Sequence, residues 1–394
     1  MTQQPPQRRC VLHIAVEYPS LNRSTNTPAV RNFIRSNPLV DYRVFALRRT
    51  ANPLSCNALA GDDEGDNHVT SMKYWGLPYG ILLFLSMTLV AWRIWRTVKK
   101  EQRQIAMVHA HKFSFEGIAG WWLARWLKVP LALSVRGEAE QKTLRYKPHY
   151  RRFFQRQLRD CQRLYYVSAW FKPIIQQHFK LAEPKQKLLP NFVAQREWPQ
   201  QTAFESNRLI SIMDLNVLDK KGLPQLLQAI AALRSTQPNL QLDIVGGGFT
   251  TANHRAQQLI QQHKLGDCVH LLGAMNNAEL LHALPNYAAM VLPSRNETFG
   301  MAYVEALLSG VPVMYSRNTG IDGFLEGIEA CVGAEPNSSE SIATAITTLL
   351  QHQQQWRHWL AANQSLVLQR FERQHYIDEY NQSFDLLPKI GTPP

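Results

Sequence analysis

The chain has 394 residues, of which 45% are hydrophobic and 19% are charged, and its formal net charge at pH 7 is +13. This length exceeds one ordinary hydrophobic core, so two domains are expected, and the composition is that of a globular protein. The five cysteines are widely scattered and form no Cys-x-x-Cys pair, which excludes an obvious disulfide framework or zinc site and favours a reducing compartment. The segment before the first expected strand lacks the apolar core of a secretory signal.

The positive charge is concentrated in the first half of the chain. Residues 1–190 contain 30 Lys or Arg and 12 Asp or Glu, a net charge of +18, whereas residues 191–394 have a net charge of −5. A basic half of this kind favours a polyanionic partner, either a nucleic acid or an anionic membrane. The change in charge also indicates a domain boundary near residue 190.

Short apolar runs alternate with helical patterns through the first half. The runs expected to form strands are 11–16, 42–47, 107–111 and 130–135, and a clear helical pattern covers 117–127. This alternation predicts a doubly wound, mostly parallel α/β sheet.

The most apolar stretch, YGILLFLSMTLVAW (79–92), is followed by the basic sequence RIWRTVKKEQR. It is shorter than the about 20 residues that a membrane-spanning helix needs. We therefore expect a buried helix, or a helix lying in the membrane interface with Trp92 and Trp95 near the headgroups. A second basic stretch, 145–163, would add to the attraction for anionic lipids.

A polar stretch at 192–207 has no clear period and is expected to be a linker, after which the alternation restarts. Strands are expected at 209–213, 240–248, 269–273 and 288–294, and helices at 222–235, about 251–263 and 277–287. The sequence thus predicts two α/β domains, 1–191 and 208–369, followed by a C-terminal segment, 370–394. Ligands of such sheets bind beyond the carboxyl ends of the strands, so the cleft between the domains is the expected active site.

The stretch PSRNETFGMAYVEALLSGVPVMYS (293–316) places two acids around the start of a helix. Glu297 lies in the loop after a strand, and Glu305 lies in the following helix, which is expected to end at Gly310. The free amides at the helix start and the helix dipole form an anion site that Gly300 lets a ligand approach closely. Because the two carboxylates can accept hydrogen bonds from hydroxyls, the arrangement suits a nucleoside diphosphate-sugar.

The same stretch resembles the donor-binding signature of retaining glycosyltransferase family 4, in which seven residues separate two glutamates. The resemblance covers nearly the whole chain and includes VLHIAVEYPS (11–20), MVHAHKFSFEGIAGWWLARWLKVPLALSVRGE (107–138), YYVSAWF (165–171), LLPNFV (188–193), DKKGLPQLLQAIAAL (219–233), LQLDIVGGG (240–248) and RFERQHYIDEYNQSFDLL (370–387). It implies the GT-B fold, in which two Rossmann-like domains face each other across a cleft. The N-terminal domain would bind the acceptor, the C-terminal domain the donor, and the last helix would cross back onto the first domain.

The resemblance implies roles for individual residues. Glu297 would meet the hydroxyls of the transferred sugar, Glu305 the ribose hydroxyls, and Lys221 the diphosphate. His111 would line the catalytic cleft. His109 is expected to point into the sheet instead, because neighbours in a strand alternate faces.

Backbone groups are expected to complete the donor site. The amides of Phe299, Gly300 and Met301 would contact the sugar and the diphosphate, and the backbone of Gly273 would contact the base.

Three positions differ from the family pattern. An arginine that gives the diphosphate a second cation is replaced by Leu215 or Asn216, and Lys220 is the nearest substitute. The usual glycine pair of the first loop is replaced by STNTPAV (24–30). Arg136 stands where the family has a histidine, and it could bind a phosphate of the donor or the acceptor.

The resemblance, together with the basic first half, implies a retaining hexosyltransferase that moves a sugar from a nucleotide diphosphate-sugar to a lipid-linked, polysaccharide or lipopolysaccharide acceptor. It would act in the cytoplasm, on the inner face of the cytoplasmic membrane. We expect same-face attack without a covalent intermediate, and no metal or other cofactor, because positive side chains can stabilise the leaving diphosphate. A GT-B epimerase or phosphorylase is the alternative, whereas no recognition motif supports a nucleic-acid partner.

Overall fold

The computed structural model describes residues 8–23, 26–193, 198 and 203–386. Several expectations lie outside the described residues, namely those for the first seven residues, for residues 24–25, for most of the linker (194–197 and 199–202) and for the tail from 387 on. By its internal contacts the chain divides into two units. The first unit takes the residues up to Val167, Phe171–Phe192 and the segment from Arg373 on, and the second takes Ser168–Trp170 and Val193–Glu372.

Within the described residues, an eight-stranded sheet forms the centre of the first unit. Its strands are β1 (Cys10–Ala15), β2 (Asp41–Thr50), β3 (Asn57–Ala60), β4 (Val69–Trp75), β5 (Ile105–Ala110), β6 (Leu131–Val135), β7 (Arg163–Tyr166) and β8 (Gln186–Leu188). They lie in the order β3-β4-β2-β1-β5-β6-β7-β8, and all neighbours are parallel except β3 and β4. The strand order reverses between β1 and β5, and the carboxyl ends of such a pair are where doubly wound sheets bind ligands.

The helices of the first half are α1 (Ala29–Arg35), α2 (Leu83–Lys100), α3 (Glu116–Leu127), α4 (Glu138–Tyr146), α5 (Arg151–Asp160) and α6 (Lys172–His178). Helix α3 is apolar on most of its circumference because it contacts β5 on one side and α2 on the other. Helix α2 includes most of the apolar run 79–92 and buries Met87, Val90, Ile94 and Val98 on one face. Among the described residues, no helix combines the length and the apolar content that crossing a membrane would require.

Six parallel strands form the sheet of the second unit, again within the described residues. They are β9 (Glu205–Ile212), β10 (Gln241–Val245), β11 (Val269–Gly273), β12 (Tyr287–Val291), β13 (Val313–Ser316) and β14 (Cys331–Ala334). Their order, β11-β10-β9-β12-β13-β14, is that of a dinucleotide-binding Rossmann sheet, with the reversal between β9 and β12. The helices are α7 (Leu223–Leu233), α8 (Thr250–Gln262), α9 (Asn277–Ala283), α10 (Met301–Leu307), α11 (Ser339–Ala362) and α12 (Gln364–Arg370).

A last helix, α13 (Arg373–Ser383), belongs to the first unit although it follows the second in the chain. The Tyr380 hydroxyl lies 3.0 Å from His109 Nδ1. Asn37 Nδ2 donates to Asn381 Oδ1 at 2.7 Å, and Asn381 Nδ2 donates back to Asn37 Oδ1 at 3.2 Å. Because a buried polar group without a partner is unfavourable, these contacts fix where the helix docks.

The predicted fold class, two doubly wound α/β domains, is confirmed. The expected strands and helices are present with ends shifted by a few residues, and Gly310 has the expected left-handed backbone, with φ +72°. Strands β3, β4, β8 and β14 were not predicted. Strand β9 also begins at Glu205, inside the stretch expected to be a linker, because its first residues extend the sheet with exposed polar side chains.

Candidate functional site

The loop between β12 and α10 holds Glu297 in one position. Its backbone N–H donates to Thr319 Oγ1 at 2.7 Å, and its carbonyl accepts from the Gly320 N–H at 3.0 Å. Gly300 precedes α10 with φ +82°, and a Cβ at this position would stand 2.5 Å from the ring of Tyr303. The loop therefore needs a glycine there to take this path.

Lys221 is brought against this loop by the turn that precedes α7. Gly222 has φ +76°, and a Cβ here would stand 2.1 Å from the carbonyl oxygen of Pro293, so only glycine permits the approach. Beside it, the Arg295 N–H donates to the carbonyl of Lys220 at 2.8 Å. These backbone contacts fasten the Lys-Gly turn to the carboxyl end of β12.

The Lys221 ammonium and the Glu297 carboxylate form an ion pair, with their side chains 19% and 17% exposed. Ser294 Oγ donates to the same carboxylate oxygen at 3.4 Å. A cation and a carboxylate in contact at the carboxyl end of a strand can serve a phosphate and a hydroxyl of one ligand. Both groups are predicted site residues, and the structure brings them together.

Glu305 lies one turn into α10 and is half-buried. Its Oε1 accepts from Asn277 Nδ2, at the start of α9, at 3.1 Å. Gly273 ends β11 with an exposed backbone, and nothing lies within 4 Å of the position a Cβ would take. A ligand can therefore approach the backbone of Gly273 closely.

Phe299 contributes to the site only through its backbone. Its side chain is fully buried and packs edge-on against Phe324, with ring centroids 5.2 Å apart. Met301 begins α10, the first turn of this helix contains no acidic residue, and no described side chain caps it. The amides at the helix start thus face no nearby capping carboxylate.

Leu215 and Asn216, which stand where the family has an arginine that contacts the diphosphate, have structural roles. Leu215 is buried and its N–H donates to the Gly247 carbonyl at 3.0 Å, while the Asn216 side chain accepts from the Phe249 N–H at 2.7 Å. Both residues shape the loop after β9, and neither carries a charge.

Arg295 is a cation that the sequence analysis missed. It lies two residues before Glu297 in the same loop, and its Nε is buried without a hydrogen-bond partner among the described residues. A basic residue so close to a functional glutamate was the signal available in the sequence.

Three buried histidines meet in the first unit, on β1 and at the carboxyl end of β5. His13 Nδ1 lies 3.1 Å from His111 Nε2, and the two ring nitrogens of His109 lie 3.0 Å from the Tyr380 hydroxyl and 2.8 Å from Ser134 Oγ. The rings of His109 and His111 stack with centroids 4.2 Å apart. The expectation that these two histidines point in different directions is wrong, because residues two apart in a strand share a face.

Burial lowers the pKa of all three histidines, that of His13 to about 3. The imidazoles are therefore neutral near pH 7. Their ring nitrogens lie within 4.8 Å of one another, a spacing that a metal ion could use. Four of the ring nitrogens, however, already have hydrogen-bond partners among the described residues, and these contacts favour a hydrogen-bonded network.

Arg136 follows β6 and is almost fully buried. Its guanidinium lies 3.9 Å from a carboxylate oxygen of Glu17, whose other oxygen lies 2.5 Å from Lys112 Nζ. Burial tends to raise the pKa of Glu17, but the two cations lower it overall. In the same cluster, Glu116 accepts the Val16 N–H at 2.6 Å, and burial raises the pKa of Glu116 to about 7. Arg136 therefore already faces a protein carboxylate, and its phosphate contact stays a prediction.

The predicted site residues fall into two groups. Those of the second unit follow or end strands β9, β11 and β12 and are Lys220, Lys221, Gly273, Glu297, Phe299, Gly300, Met301 and Glu305. His111 and Arg136 lie at the carboxyl ends of β5 and β6 in the first unit.

Comparisons with known proteins place this arrangement in a family. Residues 194–388 match the family model described as Glycosyl transferases group 1, and residues 41–197 match the model described as Glycosyltransferase Family 4. The uncharacterized glycosyltransferase YqgM of Bacillus subtilis is 25% identical over 294 residues, which are 74% of this chain and 80% of that protein. The lipopolysaccharide 1,2-N-acetylglucosaminetransferase of Salmonella typhimurium is 31% identical over 172 residues, 41% of this chain and 44% of that protein.

A solved structure shows the fold. Alr3699/HepE of Anabaena in complex with UDP has a TM-score of 0.68 and 14% identity, and the match covers 96% of this chain and 100% of that one. Two Rossmann-like α/β domains of this kind define the GT-B class of glycosyltransferases. The chain belongs to the group 1 glycosyltransferases and is a family 4-like GT-B glycosyltransferase.

Proposed function

We propose that the protein transfers a hexose from a nucleoside diphosphate-sugar, with retention of configuration, to a lipid-linked, polysaccharide or lipopolysaccharide acceptor. The observation that carries this proposal is the Lys221–Glu297 pair at the carboxyl end of β12, beside the start of α10. An ammonium suits the diphosphate, and a carboxylate suits the sugar hydroxyls. Two findings support the choice: the Anabaena protein was solved with UDP and with UDP-glucose, and the Salmonella relative is a lipopolysaccharide transferase.

Each proposed contact uses a group that the second unit makes available. Lys221 neutralises the diphosphate, and Arg295 supplies the second cation that Leu215 and Asn216 cannot. Glu297 accepts hydrogen bonds from the sugar, and Glu305 accepts them from the ribose. The amides at the start of α10 face the diphosphate, the exposed backbone at the end of β11 faces the base, and Lys220 adds positive charge nearby.

Retention follows if the acceptor attacks the face from which the diphosphate leaves. The bond between the sugar C1 and the phosphate oxygen breaks while the acceptor oxygen bonds to C1. The departing phosphate oxygen takes the acceptor's proton. The protein contributes positioning and stabilises the charge that develops on the diphosphate. We propose no metal, because Lys221 and Arg295 supply this charge, and we place the neutral His111 near the transferred sugar.

Donor binding is tested by thermal unfolding with a panel of nucleoside diphosphate-sugars. A ligand that binds only the native state at 100 times its Kd stabilises it by about 2.7 kcal/mol, and for units of this size each kcal/mol raises Tm by roughly 2–4 °C. We therefore expect at least one donor to raise Tm by roughly 5–10 °C, and the matching free sugars to have no effect. The absence of a shift with every donor would contradict the proposal.

Helix α2 carries an exposed apolar stripe opposite to its buried face. We name the α2 stripe by its residues, Leu82, Leu85, Leu89 and Trp92, which are between 45% and 51% exposed. Their spacing of four and three residues places Leu85, Leu89 and Trp92 on one side of the helix, and Leu82 directly precedes its first residue. Cations follow directly along the same helix, and the Arg96 guanidinium lies 4.8 Å above the ring of Trp92.

We propose that the α2 stripe lies in the interface of an anionic bilayer. The exposed Arg93, Arg96, Lys99 and Lys100 complement anionic headgroups, and a tryptophan beside them suits the headgroup level. This orientation brings the first unit to acceptors that are anchored in the membrane.

Sedimentation with lipid vesicles tests the membrane contact. Neutralising Lys99, Lys100 and Arg103 together removes about 1 kcal/mol each, so binding to anionic vesicles is expected to weaken on the order of 100-fold. Binding of the unchanged protein is expected to fall with added salt because the attraction is screened over roughly 8–10 Å. Equal sedimentation with neutral and anionic vesicles, or none with either, would remove the membrane proposal.

A pair of matched double variants tests the apolar part of this surface. Leu85→Gln with Leu89→Gln is expected to abolish the binding that persists at high salt. Leu366→Gln with Leu368→Gln, on exposed positions of α12 in the second unit, is expected to leave it unchanged.

A further inference from the structure

A pocket of about 590 Å³ opens at the carboxyl ends of β1 and β2 in the first unit. Strand β2 continues four residues beyond its last pairing with β1, and this extension places Arg48 and Arg49 beside the loop that follows β1. The loop contributes Asn22 and Arg23 to the lining. We call this feature the arginine pocket.

Two of the three guanidinium groups of the arginine pocket, those of Arg48 and Arg49, are oriented by neutral partners. Arg48 donates to the backbone carbonyl of Asn22, and Arg49 donates to the carbonyl of Gly76 at 3.1 Å. Among the described residues, no carboxylate forms an ion pair with Arg23, Arg48 or Arg49. Carbonyl groups fix the direction of a guanidinium without cancelling its charge, so the pocket keeps a concentrated positive charge.

Other arginines of the same sheet region are neutralised. Arg31 pairs with Asp63 at 2.8 Å, and Arg43 pairs with Glu101 at 2.7 Å. Arg23 helps to lower the pKa of Glu17, but Glu17 is already matched by Lys112 and Arg136. The fold therefore supplies acidic partners elsewhere and leaves the arginines of the pocket to a ligand.

We infer that the arginine pocket binds the oxyanion, phosphate or carboxylate, of an acidic saccharide acceptor. A guanidinium fork matches both groups with two parallel hydrogen bonds. The pocket volume lies within the roughly 300–1,000 Å³ of small-molecule sites, and its place at the carboxyl ends of the strands is where such sheets bind ligands. The inference rests on the proposed function, because it names the chemistry of the acceptor that the first unit would hold.

Calorimetric titration without any nucleotide tests the inference. The probes are glucose 6-phosphate, glucuronate, inorganic phosphate and glucose. We expect at least one acidic sugar to bind at least tenfold more tightly than glucose, and the stronger of the two identifies the oxyanion. Equal binding of the neutral and the acidic sugars, or tightest binding of inorganic phosphate, would overturn the inference.

Charge-matched variants locate the binding. The double variant Arg48→Gln, Arg49→Gln is expected to bind the tighter of the two acidic sugars at least tenfold more weakly. The control Arg145→Gln, Arg152→Gln removes the same charge at exposed positions of α4 and α5 and is expected to leave this binding unchanged. Undiminished binding in the first pair would overturn the inference. If the Arg48→Gln, Arg49→Gln variant has a lower Tm, the same titration is made with Arg23→Gln. The Arg23 side chain forms no described hydrogen bond that supports the fold, so its replacement tests binding without loss of stability.

Separate measurements test the arginine pocket and the proposed transferase function. Lys221→Ala is expected to leave the binding of acidic sugars unchanged, since it lies in the second unit. Donor-induced thermal shifts without binding of acidic sugars would remove the arginine pocket and leave the transferase proposal intact. Binding of acidic sugars without any donor-induced thermal shift would remove the transferase proposal and leave the arginine pocket as an oxyanion site.

Discussion

Replacing Glu297 with Gln is expected to lower turnover on the order of 100-fold while the protein remains folded. The amide loses the charge that strengthens hydrogen bonds from the sugar, and a hydrogen bond to a charged group contributes about 1.5–3 kcal/mol. The change also leaves Lys221 without its ionic partner in the resting site. The measurement is kcat at saturating donor, together with Tm.

Two further substitutions serve as controls for Glu297→Gln. Glu305→Gln is expected to raise the KM for the donor about tenfold with a smaller effect on turnover, because its proposed contact is with the ribose. Glu326→Gln changes an exposed acid away from the loop and should leave both constants unaltered. Unchanged turnover in Glu297→Gln would contradict the proposed contact of this carboxylate with the transferred sugar.

Lys221→Ala is expected to weaken donor binding roughly 10- to 100-fold and to leave the KM for the acceptor nearly unchanged. The substitution removes the cation proposed for the diphosphate. It also leaves the Glu297 carboxylate, with 17% of its side chain exposed, unpaired beside a negatively charged ligand. The measurement is the Kd of the nucleoside diphosphate and of the donor, determined by calorimetry.

Lys264→Gln provides the matched control, since this exposed lysine at the end of α8 lies in the same unit outside the site loop. It is expected to bind the donor like the unchanged protein. An equal loss of donor and acceptor binding in Lys221→Ala, or no loss, would argue against the pairing with the diphosphate.

Burial on both faces accounts for some of the predicted strands, but β4 was missed although most of its residues are buried, and β11 was predicted although most of its residues are not. Strands β1 and β12 are buried at every position, and their sequences are therefore apolar apart from His13 in β1. Strand β3, an edge strand with the sequence Asn57–Ala60, is mostly exposed, and it carries no such signal. Its pairing with β4 depends on the sheet that the rest of the chain has built.

The members of the candidate site could be found in the sequence, but their contacts could not. Lys221 and Glu297 were each identified from local motifs, yet they are 76 residues apart in the chain. Their meeting depends on the approach of Gly222 to Pro293, a tertiary contact that a local pattern does not encode. Arg295 was overlooked although it lies two residues from Glu297 in the chain, and its contact with Lys220 is a property of the fold.

The contacts of the histidine network and the exposure of the α2 stripe could not be predicted from the sequence either. His13, His109 and Tyr380 come from β1, β5 and α13, and only the folded chain brings them together. The apolar run 79–92 predicted a helix, but which of its side chains are buried depends on the packing of α2 against α3.

The stereochemistry of sugar transfer is the most direct test of the account. The donor that gives the largest thermal shift is incubated with the protein and a panel of octyl glycosides, and the anomeric proton of the first product is followed by NMR. The account predicts transfer to a glycoside with the anomeric configuration of the donor retained, and loss of this signal in Glu297→Gln. A product of inverted configuration, or an epimerised or phosphorolysed donor without transfer, would contradict it.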